Sequence, residues 1–333
     1  MLSSQTRLIR CVTSGTDKIS AKEWRNIMKK MLFVFNPNSG KAQLKNSLMK
    51  IIQIFSNADY EVTVYPTKAA LDGYEKIKAS KGLYDIIVCS GGDGTLNEVV
   101  SAVITYGDAK VPVGYIPSGS TNDFAKSLGI PSDKIRAAYN VVSGESFPCD
   151  IGIANDRRYF NYVAAFGAFT DVAYETPQDL KNMFGHQAYV IEGAKRLLNL
   201  KAYKMKETSS RLNIEDNFIY GMVSNASSVG GMKGLIGDGV DFQDGEFEVT
   251  LIREIRNALD FQQLVNAFIS QKLDSCDMIY SFKTSDITFE SPENIKWTLD
   301  GEFGGEHNIV NLKVCPKAVD FIINKDKPKA KAD

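Results

Sequence analysis

Two histidines, His186 and His307, are all the imidazole that this chain of 333 residues offers. Histidine-based catalysis has little material to work with, and there is no Gly-x-Ser-x-Gly elbow for a serine nucleophile. Acid–base work therefore falls to carboxylates. Cysteine is equally thin. Cys11, Cys89, Cys149, Cys276 and Cys315 are odd in number and lack zinc or redox spacing. They read as reduced thiols of a cytoplasmic protein. An excess of one charge is also missing. The formal net charge of −1 gives no basic field to collect nucleic acid, so no nucleic-acid partner is expected. No apolar run approaches the length needed to span a bilayer, and no signal-peptide core leads the chain.

What is present suits a globular protein with two cores: 44% hydrophobic and 24% charged residues over this length. Residues 1–27 carry no clear strand and read as a flexible leader, with a short amphipathic helix around Trp24 as the alternative. From 28 to 150, strand-like runs (32–35, 60–65, 84–89, 111–116) alternate with helix-like ones (from Leu44 to Phe55, near 71–80, from Leu96 to Tyr106, and one ending at Gly129). That rhythm predicts a parallel sheet with helices on both faces. From 151 to 315 the runs shorten and alternate: 159–165, 211–215, 218–224, 246–253, 286–290, 295–299 and 309–314. Helical stretches near 186–200 and 258–272 interrupt them. An antiparallel β-sandwich or barrel is expected here. Residues 316–333 form a last segment that is expected to pack back on the first domain and to end in a lysine-rich disordered tail.

Ser90-Gly91-Gly92-Asp93-Gly94-Thr95-Leu96-Asn97-Glu98 is the most informative stretch. It joins a strand to a helix. Glycines there let the backbone approach a ligand, and free N–H groups at a helix start favour anions. Asp93 would repel bare phosphate, which implies a bridging Mg²⁺ or a hydroxyl-bearing ligand. The pattern is neither a Walker loop nor a dinucleotide turn.

Four other turns invite two readings each. Asn36-Pro37-Asn38-Ser39-Gly40-Lys41 is either a surface turn or a phosphate-contacting loop. Pro117-Ser118-Gly119-Ser120-Thr121-Asn122-Asp123 caps a helix and offers its N–H groups to a ligand. Asp241-Phe242-Gln243-Asp244-Gly245-Glu246 is either a solvated hairpin rim or a divalent-ion loop. Leu299-Asp300-Gly301-Glu302 is either an Asp-Gly hairpin or a pair of acids, one with its pKa pushed up to act as a base. Alternation puts Asp300 and Glu302 on one side only if the extended chain continues through Gly301.

Taken in order, these motifs resemble the diacylglycerol kinase catalytic-domain family, specifically its soluble bacterial lipid kinases. Residues 36–41, 91–98, 119–125, Ser228-Val229-Gly230-Gly231, Asp244-Gly245-Glu246-Phe247 and 299–302 carry the resemblance. It implies an α/β nucleotide domain, a β-sandwich and an active site in the cleft between them. It further implies ATP contacts at Asn36, Pro37, Asn38, Ser39, Gly40, Thr67, Gly91, Gly92, Asp93, Gly94, Thr95 and Ser120. Asp300 would be the general base, tuned by Glu302. Asp244 would hold a structural Mg²⁺ with the backbone carbonyls of Asp241 and Glu246, and Asp93, Asp123 and Asp150 would link that ion to the nucleotide. The chain departs from the family pattern at Leu235–Val240, where many relatives carry Pro-x-Ala, and at Ser120, where Thr is frequent.

The resemblance implies γ-phosphoryl transfer from Mg·ATP to a lipid hydroxyl, with diacylglycerol giving phosphatidic acid. The expected setting is the inner face of the membrane, visited peripherally, with a homodimer as a candidate assembly. A soluble-metabolite kinase such as a NAD kinase shares the Gly-Gly-Asp-Gly and Asn-Glu elements and is the rival. A binding protein on a decayed kinase scaffold would need losses among the acids, and none of the six matched acids is lost. The basic stretch 195–206 reads as a solvated helix face followed by a strand, or as a surface that docks on anionic lipid.

Overall fold

A computed structural model describes residues 28–107, 111–167, 200–226, 240–270, 273 and 276–324. The expectations for the leader at 1–27, the helix near 186–200, the Ser228–Gly231 segment and the tail fall outside the described residues.

β1 (Lys29–Phe35) supplies five fully buried residues in a row, as a strand covered on both faces requires. It is flanked in parallel by β2 (Tyr60–Pro66) and β3 (Ile86–Gly91), and β3 is followed by β4 (Val113–Pro117). The order β2-β1-β3-β4 places a switch point between β1 and β3, at whose carboxyl ends ligands gather in open α/β sheets. The intervening helices are α1 (Leu48–Asn57), which buries Ile51, Ile54 and Phe55, α2 (Asp72–Ala79), α3 (Asp93–Tyr106), α4 (Asp123–Leu128) and α5 (Lys134–Ser143). Two boundaries differ from the sequence reading. The stretch Ser39–Asn46 forms 3-10 turns, so α1 begins only at Leu48. α3 begins at Asp93 rather than Leu96, because Gly92 is already its N-cap and an acid is favoured in a first turn.

The second half is antiparallel. It comprises β5 (Glu145–Ala154), β6 (Arg158–Phe160), β7 (Val163–Gly167), β8 (Tyr203–Ser209), β9 (Asn213–Ser224), β10 (Phe247–Arg253), β11 (Ile279–Thr284), β12 (Asp286–Leu299) and β13 (Glu302–Ile323), with α6 (Ala258–Ser270) before β11. Runs expected as separate strands (211–215 with 218–224, and 286–290 with 295–299) are continuous, the latter carrying a register shift between Glu290 and Ile295. β13 pairs with β12 and β5 and then reaches the parallel sheet, where Phe321 lies beside Val113 of β4. The described strands thus form one hydrogen-bonded network. β5 runs through position 150 and β13 through position 315, so neither expected domain boundary is a linker.

Two apolar clusters underlie this sheet. One packs β1, β3, β4 and their helices. The other is built on Phe160, Phe166, Phe218, Phe289 and Trp297 in the antiparallel half.

Candidate active site

Three loops at the carboxyl ends of β1, β3 and β4 are tied together by serines. Ser39 Oγ lies 2.7 Å from Ser118 Oγ, and Ser90 Oγ donates to Ser118 Oγ at 3.4 Å. The N–H of Asn36 donates to Ser90 O at 2.9 Å, and the N–H of Ser118 to Gly91 O at 2.9 Å. Asn36 Oδ1 accepts the N–H of Asn38, and Asn122 Oδ1 accepts that of Gly119, so each loop is preorganised by its own amide side chain. A Cβ on Gly119 would stand 2.5 Å from Gly92 Cα, so the second and third loops touch backbone to backbone. The N–H of Thr67 donates to Phe35 O at 2.9 Å, which brings Thr67 to the same edge. A cavity of about 400 Å³ opens beside Ser118, Gly119, Ser120 and Asn122, with Lys126 and Lys134 on its wall.

The β12–β13 turn meets this edge from the other half. Asp300 and Gly301 both take positive φ, 51° and 81°, so the chain reverses there in a tight hairpin. Extension does not persist through Gly301. The two acids nevertheless reach α3, Asp300 by turning inward and Glu302 by lying against Gly94. A Cβ at Gly94 would overlap the Glu302 carboxylate, so glycine at this position is what admits Glu302.

Asp300 is buried and accepts four hydrogen bonds. Oδ2 takes Asn97 Nδ2 at 2.9 Å and the N–H of Asn161 at 2.7 Å. Oδ1 takes the N–H groups of Tyr162 at 3.0 Å and Val163 at 3.2 Å. Burial nonetheless pushes its pKa up to about 6 against the lowering by those donors. Asp93 goes further, to about 7. Burial is the main cause, then the charges of Asp300 and Asp123, against N–H donation from Asp123 and Phe124. Asp93 Oδ1 is buried without a hydrogen-bond partner among the described residues. Asp123 is buried and ion-paired with Lys126 at 3.0 Å. Glu98 accepts the N–H of Leu71 at 2.9 Å, and its pKa is raised by burial, then by the charges of Glu302 and Asp72.

The expected ion loop is differently engaged. Asp244 Oδ2 receives Lys283 Nζ at 2.9 Å, Asp244 Oδ1 accepts the N–H of Glu246, and Glu246 pairs with Arg211 at 3.3 Å. Asp241 Oδ1 accepts the N–H of Gln243. An ammonium thus lies on Asp244, the carboxylate expected to hold the ion, just as Lys126 lies on Asp123. Asp150 uses both oxygens to accept the N–H groups of Gly245 and Lys317, each at 2.7 Å, and so holds that loop against β13. At α3, the charges of Asp300 and Asp123 add to burial in raising the pKa of Asp93, whose Oδ1 is buried and has no hydrogen-bond partner among the described residues. Among the described residues no three metal-ligating side chains converge, so an ion here would need phosphate oxygens and water to complete its shell, as Mg²⁺ usually does.

The sequence reading missed Asn97, which spans Asp300 Oδ2 and Tyr159 O at 2.9 Å each, and Glu98. Their signal was the Asn-Glu pair itself, visible but without a role. Of the basic stretch, Lys201 pairs with Glu293 and Lys204 with Glu215 at 2.7 Å. Lys204 and Lys206 alternate on the exposed face of β8, the strand expected at the end of this stretch, while 195–199 lie outside the described residues.

Comparison with known proteins agrees with this arrangement. The diacylglycerol kinase catalytic domain family matches residues 30–154. A diacylglycerol kinase of Bacillus subtilis (strain 168) is 32% identical over 280 residues, covering 84% of this chain and 91% of its own. One from Staphylococcus haemolyticus (strain JCSC1435) is 32% identical over 283 residues, covering 84% of each chain. Among solved structures, a proposed diacylglycerol kinase of Bacillus anthracis str. Sterne matches with a TM-score of 0.75 at 24% identity, covering 89% of this chain and 96% of that one. That last likeness speaks to fold. The chain belongs to the diacylglycerol kinase family and is a lipid kinase. No described helix is long and apolar enough to cross a membrane.

Proposed function

We propose that this lipid kinase transfers the γ-phosphoryl group of ATP to diacylglycerol, giving phosphatidic acid. The observation that carries the reading is the meeting of Asp300 and Glu302 with the first turn of α3, across more than 200 residues of chain. Residues 28–150 form the nucleotide-binding part and 151–315 the lipid-binding part, with the reaction between them. Residues 316–323, the end of β13, return to the first part. The three serine-tied loops bind the triphosphate through their N–H groups and hydroxyls. Asp93 and Asp123 are the side chains that would hold Mg²⁺, and when bound it neutralises phosphate charge.

In the transfer itself the acceptor oxygen bonds to the γ-phosphorus as the bond from that phosphorus to the β,γ-bridging oxygen breaks. The hydroxyl proton passes to Asp300. A carboxylate has about four acceptor positions, and all of those on Asp300 are filled by the four donors named above. The longest, from Val163 at 3.2 Å, is the one that yields as the proton arrives. Most of the catalytic effect is then positioning and charge neutralisation.

One observation favours a second reading of the base. Asp93 keeps a buried oxygen with no hydrogen-bond partner among the described residues, and, if Asp123 alone held the ion, the Asp93 pKa of about 7 would suit a general base. In that reading Asp93 takes the proton and Asp300 anchors β7 and the β12–β13 turn.

The lipid acceptor brings the protein to the cytoplasmic face of the membrane as a peripheral visitor, and a homodimer is the assembly we propose there. Incubation with labelled ATP, Mg²⁺ and a panel of diacylglycerol, phosphatidylglycerol, sphingosine and undecaprenol tests the reading. Label is expected in organic-phase phosphatidic acid. Label confined to the aqueous phase would reassign the enzyme to a soluble acceptor.

A further inference from the structure

Beside the β12–β13 turn lies a second cavity of about 610 Å³, within the range of small-molecule sites. Its apolar wall is Trp297 and Leu299, both reaching up from the antiparallel core, with Ile309 at the rim, 48% exposed. Asn155, Asp156, Arg157, Arg158, His307 and Asn311 supply the polar side, with Asp156 already paired to Lys313. Phe303, 49% exposed, stands next to it, its carbonyl accepting Arg158 Nη1 at 3.0 Å.

A bulge lies in the wall of this cavity. Thr298 faces Phe303 while Trp297 faces Gly305, leaving Gly304 as an extra residue on β13. At Gly305, φ is +111° and a Cβ would stand 2.5 Å from His307 Nε2, so a bare backbone lines the wall. Two lining residues, Leu299 and Arg158, lie in the strands that carry the acid centre. Leu299 precedes Asp300. Arg158 opens β6, in which Tyr159 O is held by Asn97, and the strand leads to Asn161, whose N–H binds Asp300. An open pocket with an apolar floor, exposed apolar residues at its lip and arginines beside them suits a chain lifted from a lipid–water interface.

We propose that this cavity seats one acyl chain of the acceptor lipid, with Arg157 and Arg158 lying among the phosphates of neighbouring anionic lipids. The inference rests on the lipid-kinase reading and adds where the acceptor's chain goes.

The test is steady-state kinetics in mixed micelles with dioleoylglycerol and with dihexanoylglycerol, comparing the wild-type protein with Ile309→Trp. Ile309 is exposed, so folding tolerates the change. The larger ring is expected to raise the KM for the long-chain acceptor by about tenfold or more, a change typical of an altered hydrophobic pocket. The KM values for the short-chain acceptor and for ATP should stay the same. An equal effect on both acceptors, or none on either, overturns the proposal. Photolabelling with a diazirine-bearing diacylglycerol gives an independent readout. Modified peptides spanning 155–158 or 305–311 support the seat, and modification only elsewhere overturns it. A wild-type protein that phosphorylates no lipid fails at an earlier step and removes the lipid-kinase reading together with this one.

Discussion

Asn97 and Asp300 are 203 residues apart in the chain, yet Asn97 Nδ2 donates to Asp300 Oδ2 at 2.9 Å while also donating to Tyr159 O. A single amide thus fixes the acid turn, β6 and α3 relative to one another. It also lowers the pKa of Asp300, whose rise through burial it partly offsets.

Asn97→Ala removes that donor. A hydrogen bond to a charged group contributes roughly 1.5–3 kcal/mol, so kcat should fall about tenfold or more. The acid limb of the kcat profile should also move to higher pH, because the remaining donors stabilise the carboxylate less. Asn97→Asp should move the limb further, by placing a second negative charge beside the first. A purely structural role for Asn97 would lower activity at every pH without moving the limb.

Gly94 and Glu302 supply a steric test of how closely the two halves meet. A methyl group at Gly94 would occupy the space of the Glu302 carboxylate. Gly94→Ala should therefore depress both ATP affinity and phosphoryl transfer strongly while circular dichroism shows a folded chain. Gly94→Ala combined with Glu302→Gly should restore part of the lost ATP affinity, since the obstruction is then gone. An unaltered kcat in the single variant would place Glu302 away from α3 in solution.

Much of the parallel half was legible because its signals are local. Met31 to Phe35 is an unbroken apolar run, and Asn, Gly and Ser mark the turns that follow β1, β3 and β4. The start of α3 was misplaced because three glycines read as a turn, although Gly94 can sit in a helix's first turn. β5 and β8 went unread, since Glu145–Ala154 and Tyr203–Ser209 carry a proline, two lysines and two buried acids that obscure a two-residue period. The candidate acids were legible as motifs, but their geometry was not. The Asp300–Asn97 bond and the engagement of Asp244 by Lys283 depend on long-range pairing, which no local pattern encodes. In the 241–246 loop, Asp244, expected from its motif as an ion ligand, is met by Lys283 of β11.

Glu207 makes the stability of the antiparallel half depend on pH. It is fully buried on β8, both its oxygens lack a well-formed hydrogen bond among the described residues, and burial pushes its pKa up to about 7, with Ser209 a minor offset. The folded protein therefore holds a proton that the unfolded chain, titrating near 4.5, has already released. Stability from this group is fully present below about pH 4.5 and is lost as the pH rises through about 7. Glu207→Gln should leave unfolding unchanged near pH 4. At pH 8 it should stabilise the protein by roughly 1–3 kcal/mol in urea titration. A destabilised variant at pH 8 would mean that the carboxylate has a partner.

The central claim is that Asp300 accepts the hydroxyl proton at a site assembled from both halves of the chain. Single-turnover transfer from labelled ATP to diacylglycerol, measured across pH 5–9 for the wild type, Asp300→Asn and Asp93→Asn, tests it most directly. The account predicts a wild-type acid limb near 6, set by Asp300. It also predicts that Asp300→Asn abolishes transfer while nucleotide affinity stays within about threefold, or under ~1 kcal/mol. Transfer by Asp300→Asn at near wild-type rate, or a wild-type limb near 7 that vanishes in Asp93→Asn, would contradict it.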